Sequence, residues 1–232
     1  MNRSATLAVT MTKKEMIWGF PYLVLELFFL PSLLLDLNAL LPAPLADSWL
    51  NVMYFSLNFI FCCFLFRDFL KRALAQVGQN PGTFLTATVA GFILYYVSNL
   101  LMSILIRLLA ADYANLNDGN IAQQFSGNFV LMAVSTVVLV PVAEELLHRG
   151  LIFGSLYKAN HLLAYIISAT FFSAIHILGY WNSYSLPHLL LAFLQYLPAG
   201  LALAWAYRKS GSIFSSILIH ATVNLLASLA LR

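Results

Sequence analysis

The chain has 232 residues, of which 61% are hydrophobic and only 9% are charged, against about 25% charged residues in an ordinary soluble domain. This composition excludes an ordinary soluble fold and indicates that lipid surrounds most of the chain. The net charge of +3 comes from 12 Lys and Arg and 9 Asp and Glu. They form no basic stripe that could follow the phosphates of a nucleic acid, so we expect no nucleic-acid partner.

Apolar runs recur along the whole chain, and each has about the 20 residues that a helix needs to cross the bilayer core. They predict an all-α fold, a polytopic transmembrane helical bundle of about seven to eight membrane helices, in a single membrane-embedded domain over residues 1–232. The fourth run is long enough to tilt, protrude or be split, and a split would give the eighth helix. The predicted spans cover residues 16–35, 49–66, 84–108, 129–157, 162–181, 188–207 and 212–231.

The Lys and Arg residues predict the orientation of these spans. With a cytoplasmic N-terminus, nine of them lie on the cytoplasmic side and two on the other side, as the positive-inside rule requires, while Arg149 lies within the fourth span. The first apolar run is too long for the core of a cleavable signal peptide, so we expect it to stay as a membrane helix. The cytoplasmic group is Arg3, Lys13, Lys14, Arg67, Lys71, Arg72, Lys158, Arg208 and Lys209, and the opposite group is Arg107 and Arg232.

The fourth predicted span contains ionisable residues that are costly in hydrocarbon, at least about 2.5 to 3.5 kcal/mol each, and that therefore mark a site. On a helix that advances about 100° per residue, Arg149 lies about 40° from Glu145 but about 140° from Glu144. We therefore expect an ion pair between Glu145 and Arg149 that supports the site. Glu144 is left without this partner and is the candidate general base.

Two later spans carry further polar residues at similar depth. His176 lies on the fifth predicted span, and His220 and Asn224 lie four residues apart on one face of the seventh. Measured from the cytoplasmic ends at 1.5 Å per residue, Glu144 is about 20 Å deep, His176 about 21 Å, Asn224 about 18 Å and His220 about 12 Å. Any one of them alone is best explained as an interhelical hydrogen bond. Together they favour a reactive site.

Three short motifs occur in order on these spans. They are Glu-Glu-x-x-x-Arg at Glu144, Glu145 and Arg149, Phe-x-x-x-His at Phe172 and His176, and His-x-x-x-Asn at His220 and Asn224. Together they resemble the CPBP family, the CAAX-protease and bacteriocin-processing intramembrane proteases, also called Abi. The resemblance covers residues 129–231 and implies that these residues form a catalytic helical core. The first three spans carry no diagnostic motif.

The resemblance implies an intramembrane endopeptidase in which Glu144 and His176 activate a water and His220 and Asn224 stabilise the oxyanion. Phe172 is expected to pack its helix. The substrate class would be a membrane-associated or lipidated peptide or protein, such as a CAAX-type protein or a bacteriocin or pheromone precursor, and membrane lipid is the other partner. The small size and the lack of a soluble appendage favour a bacterial member in the cell membrane.

The sequence is compatible with two mechanisms, one without a cofactor and one with a catalytic zinc. Glu144, His176 and His220 match the two-His, one-Glu ligand set of a catalytic zinc. The sequence lacks a His-Glu-x-x-His motif, and the resemblance favours a glutamate mechanism without a metal, so we expect no cofactor and keep zinc as the alternative.

The sequence is also compatible with two other functions, and it leaves the roles of two residues undecided. The first rival function is a non-catalytic membrane protein for immunity or peptide binding, and the second is a proton-coupled transporter, for which we see no repeated halves with broken helices. His148 lies one turn from Glu144 and could tune it or bind a metal, although packing is the preferred interpretation. Glu26 either lines a polar path or bonds neighbouring helices.

Overall fold

The computed structural model describes residues 7–115, Phe125 and residues 128–230. Within these residues the chain forms eight helices and no strand. The predictions for Arg3, Arg232 and the end of the last span at Leu231 lie outside the described residues. The helices are α1 Lys13–Ala39, α2 Asp47–Leu65, α3 Arg67–Gln79, α4 Pro81–Leu109, α5 Phe129–Tyr157, α6 His161–Leu178, α7 Leu186–Ser210 and α8 Ile213–Ala230.

Seven of these eight helices are long and apolar enough to cross a membrane, and α3 is the exception. The predicted fold class is therefore confirmed, and the chain is a multi-pass membrane protein. Each predicted span agrees with a helix to within a few residues, and the fourth agrees at both ends. The split that the sequence left open for this span does not occur, because α5 is continuous. The eighth helix is α3, whose charged sequence buries Phe69 and Ala73 and exposes Lys71.

Local sequence signals begin and end several helices. Thr12 and Glu15 form a capping box at the start of α1, in which the Thr12 amide donates to the Glu15 carboxylate over 2.7 Å. Asn128 and Asn160 cap α5 and α6 by accepting a backbone N–H with their side chains. Gly211 ends α7 with a φ of +74°, a left-handed conformation that glycine adopts without steric cost.

Two prolines widen the helices that carry the buried acids. In α1 the backbone takes the wider i→i+5 pattern over Leu25–Phe29, and in α5 it does so over Ser135–Leu139. Each stretch ends two residues before a proline, Pro31 or Pro141. A proline has no N–H for the carbonyl four residues earlier, so the helix opens there. Such bulges are frequent at functional sites.

The centre of the bundle is the second half of α5. Its second widened stretch, Leu146–Phe153, is buried at every residue. Small residues let the neighbouring helices approach closely, as is usual in membrane bundles. An added Cβ at Gly200 of α7 would lie 2.8 Å from the Cα of Ala169 on α6. This close packing holds α6 and α7 against the part of α5 that carries the ionisable residues.

Candidate active site

A buried ionic cluster joins four helices at the base of the site. Glu145 and Arg149 are fully buried, and the Glu145 Oε1 accepts from Arg149 Nη1 over 2.9 Å. The same oxygen contacts Nδ1 of His220 at 3.0 Å. Arg149 also donates to the carbonyl of Gly200 over 3.3 Å, and its guanidinium lies 4.2 Å from the centre of the Phe172 ring. The predicted Glu145–Arg149 pair is present, and it ties α5 to α6, α7 and α8.

Glu144 is not part of this cluster. It is partly buried, and its Oε2 is buried without a hydrogen-bond partner among the residues that the structure describes. A buried polar atom in this state is rare and calls for a functional or solvent explanation. The structure thus separates the two adjacent glutamates, with Glu145 in an ion pair and Glu144 available for chemistry.

A single cavity of about 660 Å³ brings the four candidate catalytic residues together. This volume lies within the usual range of ligand pockets. Glu144 comes from α5, His176 from α6, and His220 and Asn224 from α8. Side chains of α2, α4 and α7 complete the wall. The sequence places His220 several ångströms closer to the cytoplasmic helix ends than the other three residues, yet it lines the same cavity.

The two histidines are each fixed through Nδ1. In His176 this nitrogen is 2.7 Å from the backbone carbonyl of Phe172, and in His220 it is 3.0 Å from the Glu145 carboxylate. Both partners are acceptors, so Nδ1 carries the proton in each ring and Nε2 remains for other contacts. The His176 ring also packs on Tyr196, with 4.3 Å between the ring centres. Both rings therefore have a defined orientation.

Asn224 is held by a carbonyl that Pro141 leaves without a backbone donor. The Thr136 carbonyl would accept from residue 140 in an α-helix or from residue 141 in the wider pattern. The Val140 N–H instead bonds to the Ser135 carbonyl, and residue 141 is a proline. The Asn224 Nδ2 donates to the Thr136 carbonyl over 2.8 Å. Pro141 of α5 thus leaves a carbonyl free, and this carbonyl positions the side-chain amide of Asn224 on α8.

The zinc alternative finds no matching ligand cluster. Within the described ranges, no three His, Cys, Asp or Glu side chains are grouped closely enough to hold a metal ion. The set proposed from the sequence, Glu144, His176 and His220, lines one cavity but does not form such a group.

The structure defines the surroundings of His148 and Glu26, whose roles the sequence left undecided. His148 is 2% exposed, and its ring packs edge-on against Phe172 with 5.5 Å between centres, which agrees with the packing interpretation. Its Nδ1 is nevertheless buried with no partner within the described part of the chain. Glu26 is buried and accepts from Asn58 Nδ2 over 2.8 Å and from the Tyr54 hydroxyl. It therefore bonds α1 to the neighbouring α2.

Sequence reasoning missed Tyr196 and Thr136 as parts of the site. Tyr196 is one aromatic residue in an apolar span, and nothing in the sequence marks the side chain on which His176 packs. Thr136 contributes only its backbone carbonyl. The position of Pro141 five residues later is the signal from which this free carbonyl could have been found.

Comparison with known proteins finds a family match for the C-terminal part of the chain. Residues 126–226 match the family described as "Type II CAAX prenyl endopeptidase Rce1-like". The "UPF0177 protein YxdF" of Lactococcus lactis subsp. lactis (strain IL1403) is 35% identical over 95 residues, which cover 41% of this chain and 47% of the relative.

The "Putative membrane peptidase YdiL" of Bacillus subtilis (strain 168) is 33% identical over 95 residues, which cover 40% of this chain and 34% of the relative. The alignments thus cover less than half of either relative. No solved structure gives a significant match. On these findings, residues 126–226 of this multi-pass membrane protein are similar to the Rce1-like family of type II CAAX prenyl endopeptidases.

Proposed function

We propose that the protein is an intramembrane endopeptidase that hydrolyses a peptide bond of a membrane-associated or lipidated substrate. The observation that carries this proposal is the cavity of about 660 Å³ that Glu144, His176, His220 and Asn224 line together. The Rce1-like domain supports the same reaction.

Glu144 and His176 activate the attacking water in this proposal. The Oε2 of Glu144, which has no protein partner in the described residues, accepts a proton from the water. His176 accepts a hydrogen bond from the same water at Nε2, because its Nδ1 donates to Phe172. The water oxygen attacks the scissile carbonyl carbon. The proton on Glu144 then passes to the leaving amine as the C–N bond breaks.

His220 and Asn224 stabilise the negative charge that develops on the carbonyl oxygen. Asn224 has two N–H groups, of which one is held by the Thr136 carbonyl, so the second can donate to the oxyanion. His220 is oriented by Glu145 through Nδ1, and its Nε2 can donate to the same oxyanion when the ring carries a proton on both nitrogens. A fixed donor in a site with little water is worth about 3 to 4 kcal/mol in the transition state.

A lipid-modified substrate is favoured by an apolar groove beside the cavity. This groove has a volume of about 580 Å³ and lies between α4 and α7, the helices that also wall the cavity through Tyr95 and Tyr196. A lipid chain in the groove would hold the attached peptide next to Glu144. The groove residues include Leu94, Leu101, Leu105, Leu197, Leu201 and Trp205.

The test is cleavage of a broad peptide library by the purified protein in detergent, with and without a chelator. The library includes one CAAX peptide in farnesylated and unmodified forms. We expect cleavage by the wild-type protein, none by Glu144→Ala, and faster cleavage of the farnesylated form. Glu15→Gln is the matched control, because Glu15 pairs with Arg72 at 2.7 Å and lines neither the cavity nor the groove.

Each alternative predicts a different result. Loss of activity on adding the chelator would support a metal-dependent mechanism. A folded wild-type protein that cleaves no peptide would contradict the proposal and favour the immunity or peptide-binding function. Cleavage that survives in Glu144→Ala would contradict the role of Glu144.

A further inference from the structure

A second, smaller cavity meets the first at Glu144. It has a volume of about 160 Å³ and lies between α1, α2, α5 and α6. Glu26, Asn58, Leu147 and His148 line this cavity but not the larger one. The two cavities share a wall formed by Tyr54, Phe55, Val140, Glu144 and Ile175. We call the smaller cavity the inner chamber.

The inner chamber is lined by polar groups from two sides. On one side, Glu26 is held by Asn58 and by the Tyr54 hydroxyl, and Asn58 accepts in turn from the Tyr22 hydroxyl over 2.5 Å. On the other side are His148 and Glu144. Glu144 Oε2 and His148 Nδ1 are both buried and have no hydrogen-bond partner among the side chains and backbone described here.

Such a chamber is a binding site for water. A buried apolar cavity stays dry, whereas a polar cavity holds water where two to four polar groups can bond to it. At about 30 Å³ per molecule in the liquid, the inner chamber has room for a few waters. Glu144, His148 and Glu26 supply the groups that these waters would bond to. Water there would satisfy the two buried atoms for which the protein offers no partner.

We propose that the inner chamber binds water and supplies the hydrolytic water to Glu144, an inference that rests on the proposed function. A peptide bound in the large cavity fills the space in front of Glu144, yet each hydrolysis consumes one water. The water from the chamber loses a proton to Glu144, its oxygen bonds to the carbonyl carbon, and the proton leaves with the amine. Glu26 and His148 are positioning residues that hold the water.

Hydroxyl-radical footprinting tests the water site without any need for turnover. Radicals generated by a short X-ray pulse oxidise side chains next to bound water, so we expect His148 and Leu147 to be labelled although each is only 2% exposed. Phe153 is the control, because it is fully buried among aromatic rings and lines neither cavity. Labelling of His148 and Leu147 no greater than that of Phe153 would overturn the proposal.

Two variants of Glu26 separate the water site from a merely structural role. Glu26→Gln keeps an oxygen that accepts from Tyr54 and Asn58, so we expect it to retain the labelling and to cleave faster than Glu26→Leu. Glu26→Leu removes the polar anchor, so labelling of His148 should fall at least threefold. Its kcat should fall about tenfold with KM unchanged, because the peptide binds in the other cavity. Equal labelling in the two variants would contradict the role of Glu26. If Glu26→Leu does not fold, the labelling of His148 and Leu147 relative to Phe153 in the wild-type protein still decides whether the chamber binds water.

The two readouts also separate this inference from the proposed function. If the inner chamber is labelled but the protein cleaves no peptide, the chamber binds water. The same result would refute both the proposed function and the role of the chamber as the source of the hydrolytic water. An unlabelled chamber in an active peptidase would refute the chamber alone.

Discussion

The helices α4 and α5 have the same length and are equally apolar, but they have different positions in the bundle. Each has 29 residues, and 11% of the most apolar stretch of α4 is buried against 39% of that of α5. Arg107 of α4 lies in its last turn and is exposed, whereas Arg149 of α5 is fully buried beside Glu145. Average hydropathy therefore predicts that a helix spans the membrane. The depth of its ionisable residues predicts whether it carries the site.

The largest expected effect follows from breaking the buried ion pair of α5. Arg149→Met leaves Glu145 charged and without its main partner, so we expect a loss of about 3 to 5 kcal/mol in the free energy of unfolding. Arg107→Leu on α4 should change it by less than about 0.5 kcal/mol. Reversible unfolding in mixed micelles measures both. An Arg149→Met protein as stable as the wild type would contradict the structural role of the cluster.

A double variant sharpens this test. Replacing both partners, as Glu145→Leu with Arg149→Met, removes the uncompensated charge. Stability should therefore recover relative to Arg149→Met alone. His220 loses its Nδ1 partner in this variant, so cleavage should remain low although the fold is restored.

Removing the side-chain amide of Asn224 on α8 should affect catalysis more than stability. We expect Asn224→Ala to lower kcat about 10²- to 10³-fold, because a donor to the oxyanion is lost. Asn99→Ala on α4 is the matched control, since Asn99 also lines the cavity but bonds to its own helix at the Tyr95 carbonyl over 2.7 Å. Steady-state kinetics on one identified peptide compares them. Equal losses in the two variants would indicate that Asn224 only shapes the cavity.

A glycine shows where α4 does have a buried contact. An added Cβ at Gly91 would lie 2.7 Å from the Cβ of Ala206 and 2.9 Å from the Cδ1 of Ile219. We therefore expect Gly91→Ala to cost about 1 to 3 kcal/mol of stability through overpacking. Gly82→Ala meets no atom within 4 Å, so it should be neutral or stabilising by up to about 1 kcal/mol, as an alanine favours the helix. Thermal unfolding distinguishes these signs.

The smallest expected effect concerns one proline in each of α4 and α5. Pro141→Ala adds an N–H that can bond to the Thr136 carbonyl and compete with Asn224. We expect kcat to fall by up to about tenfold, equivalent to about 1.4 kcal/mol, without loss of stability. Pro81→Ala at the first position of α4 should have no effect, because no helical bond is missing there. A Pro141→Ala enzyme with the wild-type kcat would show that Asn224 is not positioned in this way.

Much of the fold could be predicted from the sequence because lipid imposes a simple rule on helix length. The bounds of α5 and the pairing of Glu145 with Arg149 follow from hydropathy and from the angle between residues on one helix. The helix α3 was missed because its charged sequence gives no apolar run. Its stability comes from Phe69 and Ala73, which pack in the core.

Contacts between helices were harder to predict. The sequence placed Glu144, His176, His220 and Asn224 on three helices at similar depth, but the bond between His220 and Glu145 depends on helix tilt and rotation. The same holds for the inner chamber, which needs α1 and α2 beside α5. The backbones of α1 and α5 widen before Pro31 and Pro141, and a search for prolines near buried acids could have indicated these two stretches. The catalytic roles remain predictions for the experiments above.

The most direct test of the central claim is the cleavage rate of Glu144→Gln on one identified peptide under single-turnover conditions. The amide keeps the shape of the side chain but accepts no proton at neutral pH. We expect a rate at least about 10²-fold below that of the wild type, with unchanged peptide binding and a wild-type rate for Glu15→Gln. Cleavage by Glu144→Gln at the wild-type rate would contradict the assignment of Glu144 as the general base.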